Sequence, residues 1–257
     1  MTTPTLLADH PLKGPMIRVG DFFFKWRNQA FPLLLVAIYL FVPPSNAFLG
    51  RRDLEPVRDV LALGFVIAGL VLRAVVVGYA YIKRGGVNKK VYAADLVTAG
   101  LFGACRNPLY VGNLLIVLGV LTMHGDPWVF VAGVLLMTFI YQSIVYAEER
   151  YLEAKFGAGY RAYCADTPRW GFRLSRLPAS TQGMRFDLKK AILAEYTTIA
   201  TSLSILAATE LYEQLGHHDN PPSTPVVWGM VGVIATAILW TMTLRIYKKR
   251  RARRLAA

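Results

Sequence analysis

The chain has almost no cysteine, little acid and long stretches with no charge at all. Only Cys105 and Cys164 occur among 257 residues. That excludes a disulfide scaffold, and because both fall in segments assigned below to the cytoplasm, they read as reduced thiols. Metal-ligand spacing is also lacking. The pair His217 and His218 sits in a short polar loop and reads as solvated, so no metal site is expected. Asp, Glu, Lys and Arg are absent from residues 28–50, 60–72, 107–125, 127–147 and 220–244. Such gaps approach the ~20 residues that carry a helix across the hydrocarbon of a bilayer.

What is present fits those gaps. Hydrophobic residues make up 54% of the chain and mean hydropathy is +0.38, beyond what a soluble core requires. Lys and Arg number 29 against 16 Asp and Glu, a net charge of +13. A basic balance of this size raises the possibility of nucleic acid as a partner, but the cations flank apolar runs and form no stripe interleaved with aromatics. Membrane topology accounts for them, and no nucleic-acid partner is expected. Lys248, Lys249, Arg250, Arg251, Arg253 and Arg254 directly follow an apolar run and read as a cytoplasmic anchor beside anionic lipid.

The expected fold is all-α: a polytopic transmembrane bundle of about six spans, with amphipathic interfacial helices. An interfacial stretch at 16–30 precedes spans at 31–50, 58–82, 109–124, 127–147, 191–212 and 225–246. The long polar segment before the first span, containing Asp9 and Asp21, argues for an uncleaved helix over a signal peptide. His124, Gly125, Asp126 and Pro127 spell a tight turn: glycine to leave one helix, aspartate to cap the next and proline in its first turn. The far ends of the third and fourth spans must then share one membrane face. Those ends, at 83–106 and 148–190, are rich in Lys and Arg, as are both terminal segments, which places both termini in the cytoplasm. The chain divides into an interfacial segment (1–30), a membrane core (31–177) and an appended two-span hairpin with a basic tail (184–257).

Two segments carry chemistry. Residues 96–113 read LVTAGLFGACRNPLYVGN. Gly100, Gly103 and Gly112 permit close backbone approach, and Pro108 suits the first turn of a helix whose free N–H groups can hold a polar or anionic ligand. Residues 148–163 read EERYLEAKFGAGYRAY and lead to Thr167, Pro168, Arg169 and Trp170. At helical spacing Glu149, Leu152 and Phe156 share one face, setting a carboxylate at the membrane end of an amphipathic helix. By itself the first segment is a glycine-containing connection and the second a solvated juxtamembrane helix. The tight hairpin brings them side by side, where they can line one pocket.

Taken together and in this order, the two segments resemble the isoprenylcysteine carboxyl methyltransferase family and its phospholipid N-methyltransferase relatives. The residues that carry the resemblance are Gly100, Phe102, Arg106, Pro108, Tyr110 and Gly112, then Glu148, Glu149, Leu152, Phe156, Gly157, Tyr160, Tyr163 and Pro168; it covers about residues 70–173. The resemblance implies a membrane methyltransferase, in a bacterial cytoplasmic membrane, that takes S-adenosyl-L-methionine from the cytoplasm and a lipophilic or amphiphilic acceptor from the bilayer. It further implies that Gly100, Phe102, Arg106, Asn107, Pro108, Tyr110, Gly112, Glu148 and Glu149 form the cofactor site. Carboxylates suit the cofactor's ammonium, backbone N–H groups its carboxylate, and aromatic faces its sulfonium. Asn107 stands where the family usually has histidine, and Phe102 where it usually has tyrosine. A hydrogen bond survives the first change but a titrating group does not.

Two arginines are candidates for orienting substrate. Arg73 lies inside the second span, where a cation needs a partner or a cavity; the alternative is snorkelling to the interface. Arg169, beside Trp170, is read either as a substrate contact or as an interfacial anchor. Glu195 is expected to pair with a neighbouring lysine. The last two spans, without a counterpart in the family pattern, are candidates for shielding a lateral entrance or for self-association. The rival readings are a nicotinamide-dependent sterol-type reductase and a non-catalytic lipid-binding protein of the same fold.

Overall fold

Proline, glycine and aspartate set the helix ends that matter most. Helix α3 (Pro108–His124) stops at Gly125, whose left-handed φ of 78° is a conformation that disfavours residues with a Cβ. Asp126 then caps α4 (Pro127–Phe156) by accepting from the Val129 N–H at 2.8 Å, and Pro127 occupies its first position. The four-residue turn legible in the sequence is the turn that forms.

The computed structural model describes residues 13–48, 50–79, 93–216 and 223–256; the expected basic stretch within 83–92 and the pair His217 and His218 lie outside them. The remaining elements are α1 (Lys13–Phe41), α2 (Glu55–Tyr79), α5 (Ala158–Asp166), the short α6 (Leu177–Thr181), α7 (Leu188–Gly216) and α8 (Thr224–Ala256). Among the described residues there are no strands, only an isolated bridge between Phe48 and Arg51. Four helical stretches are long and apolar enough to cross a membrane, Arg52–Tyr79, Pro127–Phe156, Leu188–Gly216 and Thr224–Arg251, and α3 is a shorter apolar helix. The protein is thus an all-helical integral membrane protein.

Two expected boundaries are corrected. The interfacial segment at 16–30 and the first span at 31–50 are one helix, α1, which ends at Phe41. The chain runs through Pro32 because α1 is held along α4, where a Cβ on Gly20 would lie 2.0 Å from the Ser143 carbonyl oxygen. It stops before Pro43 and Pro44, which disfavour helical backbone in the preceding residue. Likewise, α4 runs past 147, the expected end of the fourth span, and continues to Phe156.

Helices α2 and α3 run antiparallel in close contact. A Cβ on Gly69 would sit 2.6 Å from the Gly112 carbonyl oxygen, and one on Gly119 would sit 2.6 Å from that of Ala62. Small residues seven apart on each helix let the backbones touch, the packing that apolar side chains alone cannot drive within lipid. Helix α7 lies along α2 and α3, and α8 along α7. The start of α7 is fixed to the end of α2: the Asp187 N–H donates to the Gly78 carbonyl at 3.1 Å, and Phe186 packs on Gly78 and Tyr79.

Candidate active site

Glu149, near the end of α4, is the hub of the site. Its carboxylate accepts from Arg169 Nε and Nη2, both at 2.8 Å, and from Arg106 Nη1 at 3.0 Å. Glu149 and Arg106 are nearly buried, with 8% and 13% of their side chains exposed, and Arg169 is 30% exposed. Arg106 Nη1 also donates to Cys164 Sγ at 2.9 Å, and the Arg169 guanidinium lies 5.2 Å over the Tyr146 ring. One edge of the Arg169 guanidinium, Nε and Nη2, is thus committed to Glu149.

Backbone and side-chain bonds sew the two motif segments together. The Arg106 N–H donates to the Pro168 carbonyl at 2.8 Å, the Arg173 N–H to that of Ala104 at 2.9 Å, and the Tyr163 hydroxyl to that of Phe102 at 2.7 Å. Asn107 is the N-terminal flanking residue of α3, but its side chain does not cap that helix; Nδ2 donates instead to the Arg169 carbonyl at 3.0 Å. A neutral amide serves this contact fully, so the residue in the place of the family histidine acts here as a tether. Trp170 Nε1 donates to Gln142 Oε1 at 2.7 Å, closing the segment onto α4. Gly100 takes a φ of 65° at the start of the turn, and Pro108, fully buried, begins α3.

Beneath this knot lies an aromatic layer. The Tyr110 hydroxyl donates to Glu148 Oε1 at 2.6 Å, and the Tyr110 and Tyr141 rings are 5.4 Å apart. Tyr141 hydrogen-bonds Asn113, which also receives Arg73 Nη1. Arg73 is 8% exposed, and its Nε donates to Glu195 Oε2 at 2.9 Å. Snorkelling is thereby set aside: Arg73 points across the bundle to α3 and α7, and Glu195, expected to face a lysine, is its acidic partner. Gly112 lies in the α2–α3 crossing, where a Cβ would meet Arg73 Cγ at 2.6 Å.

The structure therefore gathers Arg106, Asn107, Tyr110, Glu148, Glu149 and Arg169 in one place and joins Arg73 to them through Asn113 and Tyr141. Gly100, Phe102, Pro108 and Gly112 shape the backbone around that place. Sequence reading passed over Gln142, Tyr141, Cys164 and the role of Glu195. Tyr141 and Gln142 lie in an apolar run with no motif to mark them; Glu195 carried a signal, an acid within an apolar span. Burial pushes the Cys105 thiol up to about 11 and raises Cys164, Tyr160 and Tyr163, so all four are neutral at physiological pH. None of them supplies a base or a thiolate, and among the described residues no His, Cys, Asp and Glu cluster suits a metal ion.

Comparison with known proteins bears on the same part of the chain. Residues 57–159 match the family model described as phospholipid methyltransferase. An 80-residue stretch, 31% of this chain, is 36% identical to the cobalt-zinc-cadmium resistance protein CzcN of Cupriavidus metallidurans and covers 37% of that protein. The chain thus spans little more than a third of that relative's length. No solved structure matches the chain significantly. The family match begins in the first turn of α2 and ends within α5, enclosing Arg73, Arg106, Tyr110, Glu148 and Glu149. The similarity to the phospholipid methyltransferase family thus lies in residues 57–159, less than half of the chain.

Proposed function

We propose that this protein is an S-adenosyl-L-methionine-dependent methyltransferase of a bacterial cytoplasmic membrane, acting at its cytoplasmic face on a lipophilic or amphiphilic acceptor. The observation that carries the reading is the convergence of the two motif segments on Glu149, with Tyr110 and Glu148 directly beneath. The residues present suit the cofactor. Arg106 Nε and Gln142 Nε2 are buried donors without a hydrogen-bond partner, and such donors favour a ligand that brings an acceptor, such as a carboxylate. Glu148 offers a carboxylate to an ammonium or sulfonium, and the Tyr110 and Tyr141 rings offer π faces to the same charge.

When bound, the cofactor supplies an electrophilic methyl group on a sulfonium. The chain's own contribution is alignment and exclusion of water: the Glu149 pairings fix the 167–170 segment over the end of α3, and the α1–α4 aromatic packing closes the membrane side. The neutral Cys105, Cys164, Tyr160 and Tyr163 favour an acceptor that needs no base from them. A carboxylate meets that condition, as does an amine delivered in its neutral form. The basic segments at this end of the bundle support a cytoplasmic orientation.

The test is titration of detergent-purified protein with S-adenosylhomocysteine and with NADPH, followed calorimetrically. Saturable binding of the first alone is expected. Binding of NADPH alone would favour the reductase, and binding of neither would favour the non-catalytic reading. Comparing lipid extracts of cells with and without the protein for a gain of one methylene mass would then identify the acceptor.

A further inference from the structure

An apolar groove lies outside residues 57–159, between the start of α7 and the end of α8. Leu188, Ile192, Leu193 and Leu244 line a groove of about 500 Å³, with Lys189 and Tyr247 at its mouth. The groove is shallow and open, and its lining is almost wholly apolar. Leu188 and Tyr247 are 60% and 41% exposed, so the groove opens laterally, where lipid surrounds the bundle.

Its mouth is cationic. The Lys189 ammonium lies 5.8 Å over the Tyr247 ring. Helix α8 continues without a break into the basic tail, so Arg251 and Arg254 follow Tyr247 by one and two turns on the same face, close enough to act electrostatically on its hydroxyl. Lys248 is committed elsewhere: its ammonium donates to the Leu193 carbonyl at 3.0 Å and sits 5.2 Å over Tyr196. Asp187 caps α7 through the Lys190 N–H, and Glu195 faces Arg73. An acyl-lined groove below a collar of Lys189, Arg251 and Arg254 has the shape and charge of a phospholipid whose headgroup is anionic.

We propose that the α7–α8 groove is a specific binding site for an anionic phospholipid, with an acyl chain between the helices and the phosphate at the Lys189, Arg251 and Arg254 collar. This site stands whether or not the protein transfers methyl groups.

The test is native mass spectrometry of the detergent-purified full chain with dioleoylphosphatidylglycerol or dioleoylphosphatidylcholine. Preferential retention of phosphatidylglycerol is expected. R251Q/R254Q should weaken that retention by roughly tenfold, and K249Q/R253Q, which removes the same charge from the opposite helix face, by less than about twofold. L244W, which fills the groove and leaves every charge in place, should also abolish the preference; it decides the matter if the collar variant is not monodisperse. Equal retention of both lipids, equal losses from the two charge pairs, or undiminished binding by L244W would each overturn the site and leave only diffuse adsorption to a basic tail.

Discussion

Replacing Glu149 with glutamine should unfold the knot of Arg106, Glu149 and Arg169 more severely than its single lost charge suggests. The carboxylate accepts three charge-assisted hydrogen bonds, from two guanidinium groups that repel each other once it is neutral. Removing one partner of a buried ion pair costs about 3–5 kcal/mol, because the charge left behind is uncompensated. Arg106 is 13% exposed and takes nearly the full penalty, while Arg169 at 30% is partly screened by water, so the lower end, about 3 kcal/mol, is expected. At roughly 2–4 °C per kcal/mol for a chain of this size, the Tm in detergent should fall by roughly 6–12 °C. The internal control is Asp21→Asn, which removes an equally short pair, Arg150 to Asp21 at 2.9 Å, whose side chains are 52% and 47% exposed. That change should cost under about 1 kcal/mol. Measured side by side by scanning fluorimetry, equal shifts for E149Q and D21N would refute the argument that burial, and not distance, gives the Glu149 cluster its strength.

Three further outcomes follow from the same structure. Glu195→Leu leaves Arg73 buried and unpaired and should lower stability by about 3–5 kcal/mol, whereas R73L/E195L should recover most of the loss; a double variant no more stable than E195L on thermal unfolding would argue against a simple ion pair. Gly69→Ala places a methyl 2.6 Å from the Gly112 carbonyl oxygen, so α2 and α3 must separate at a cost of about 1–3 kcal/mol, with no such loss from Gly64→Ala, where nothing lies within 4 Å. Cys105 should resist maleimide at neutral pH and label increasingly only as pH nears about 11. Because folding holds this thiol in its neutral form, its contribution to stability is complete below the unfolded pKa of about 8.5 and is lost as pH rises towards the folded value. Rapid labelling of a Cys164→Ser variant at pH 7, read by intact mass, would mean that residue 105 is not buried as described.

The membrane class, the tight hairpin and the pairing of the two motif segments were all legible in the sequence, because each rests on local chemistry. An uncharged run reports burial in lipid, and glycine, aspartate and proline in four residues report a turn wherever they occur. The residues that meet in the site were also legible as Arg106, Asn107, Tyr110, Glu148 and Glu149, since the hairpin leaves their segments one place to go. Less legible was the continuity of α1 through Pro32, which depends on how closely Gly20 lets it approach α4.

By itself the sequence determined that the chain is a helical membrane protein whose polar chemistry gathers at one end of a hairpin. Only the tertiary structure decided which charges answer one another. Arg73 and Glu195 lie 122 residues apart on α2 and α7, and the Arg106, Glu149 and Arg169 contacts join three separate segments. Hydropathy and helical period record which face of a helix is apolar, but a buried charge is neutralised by whatever side chain reaches it across the bundle. For Arg73 the room to reach across the bundle is left by Gly112, where a Cβ would lie 2.6 Å from Arg73 Cγ.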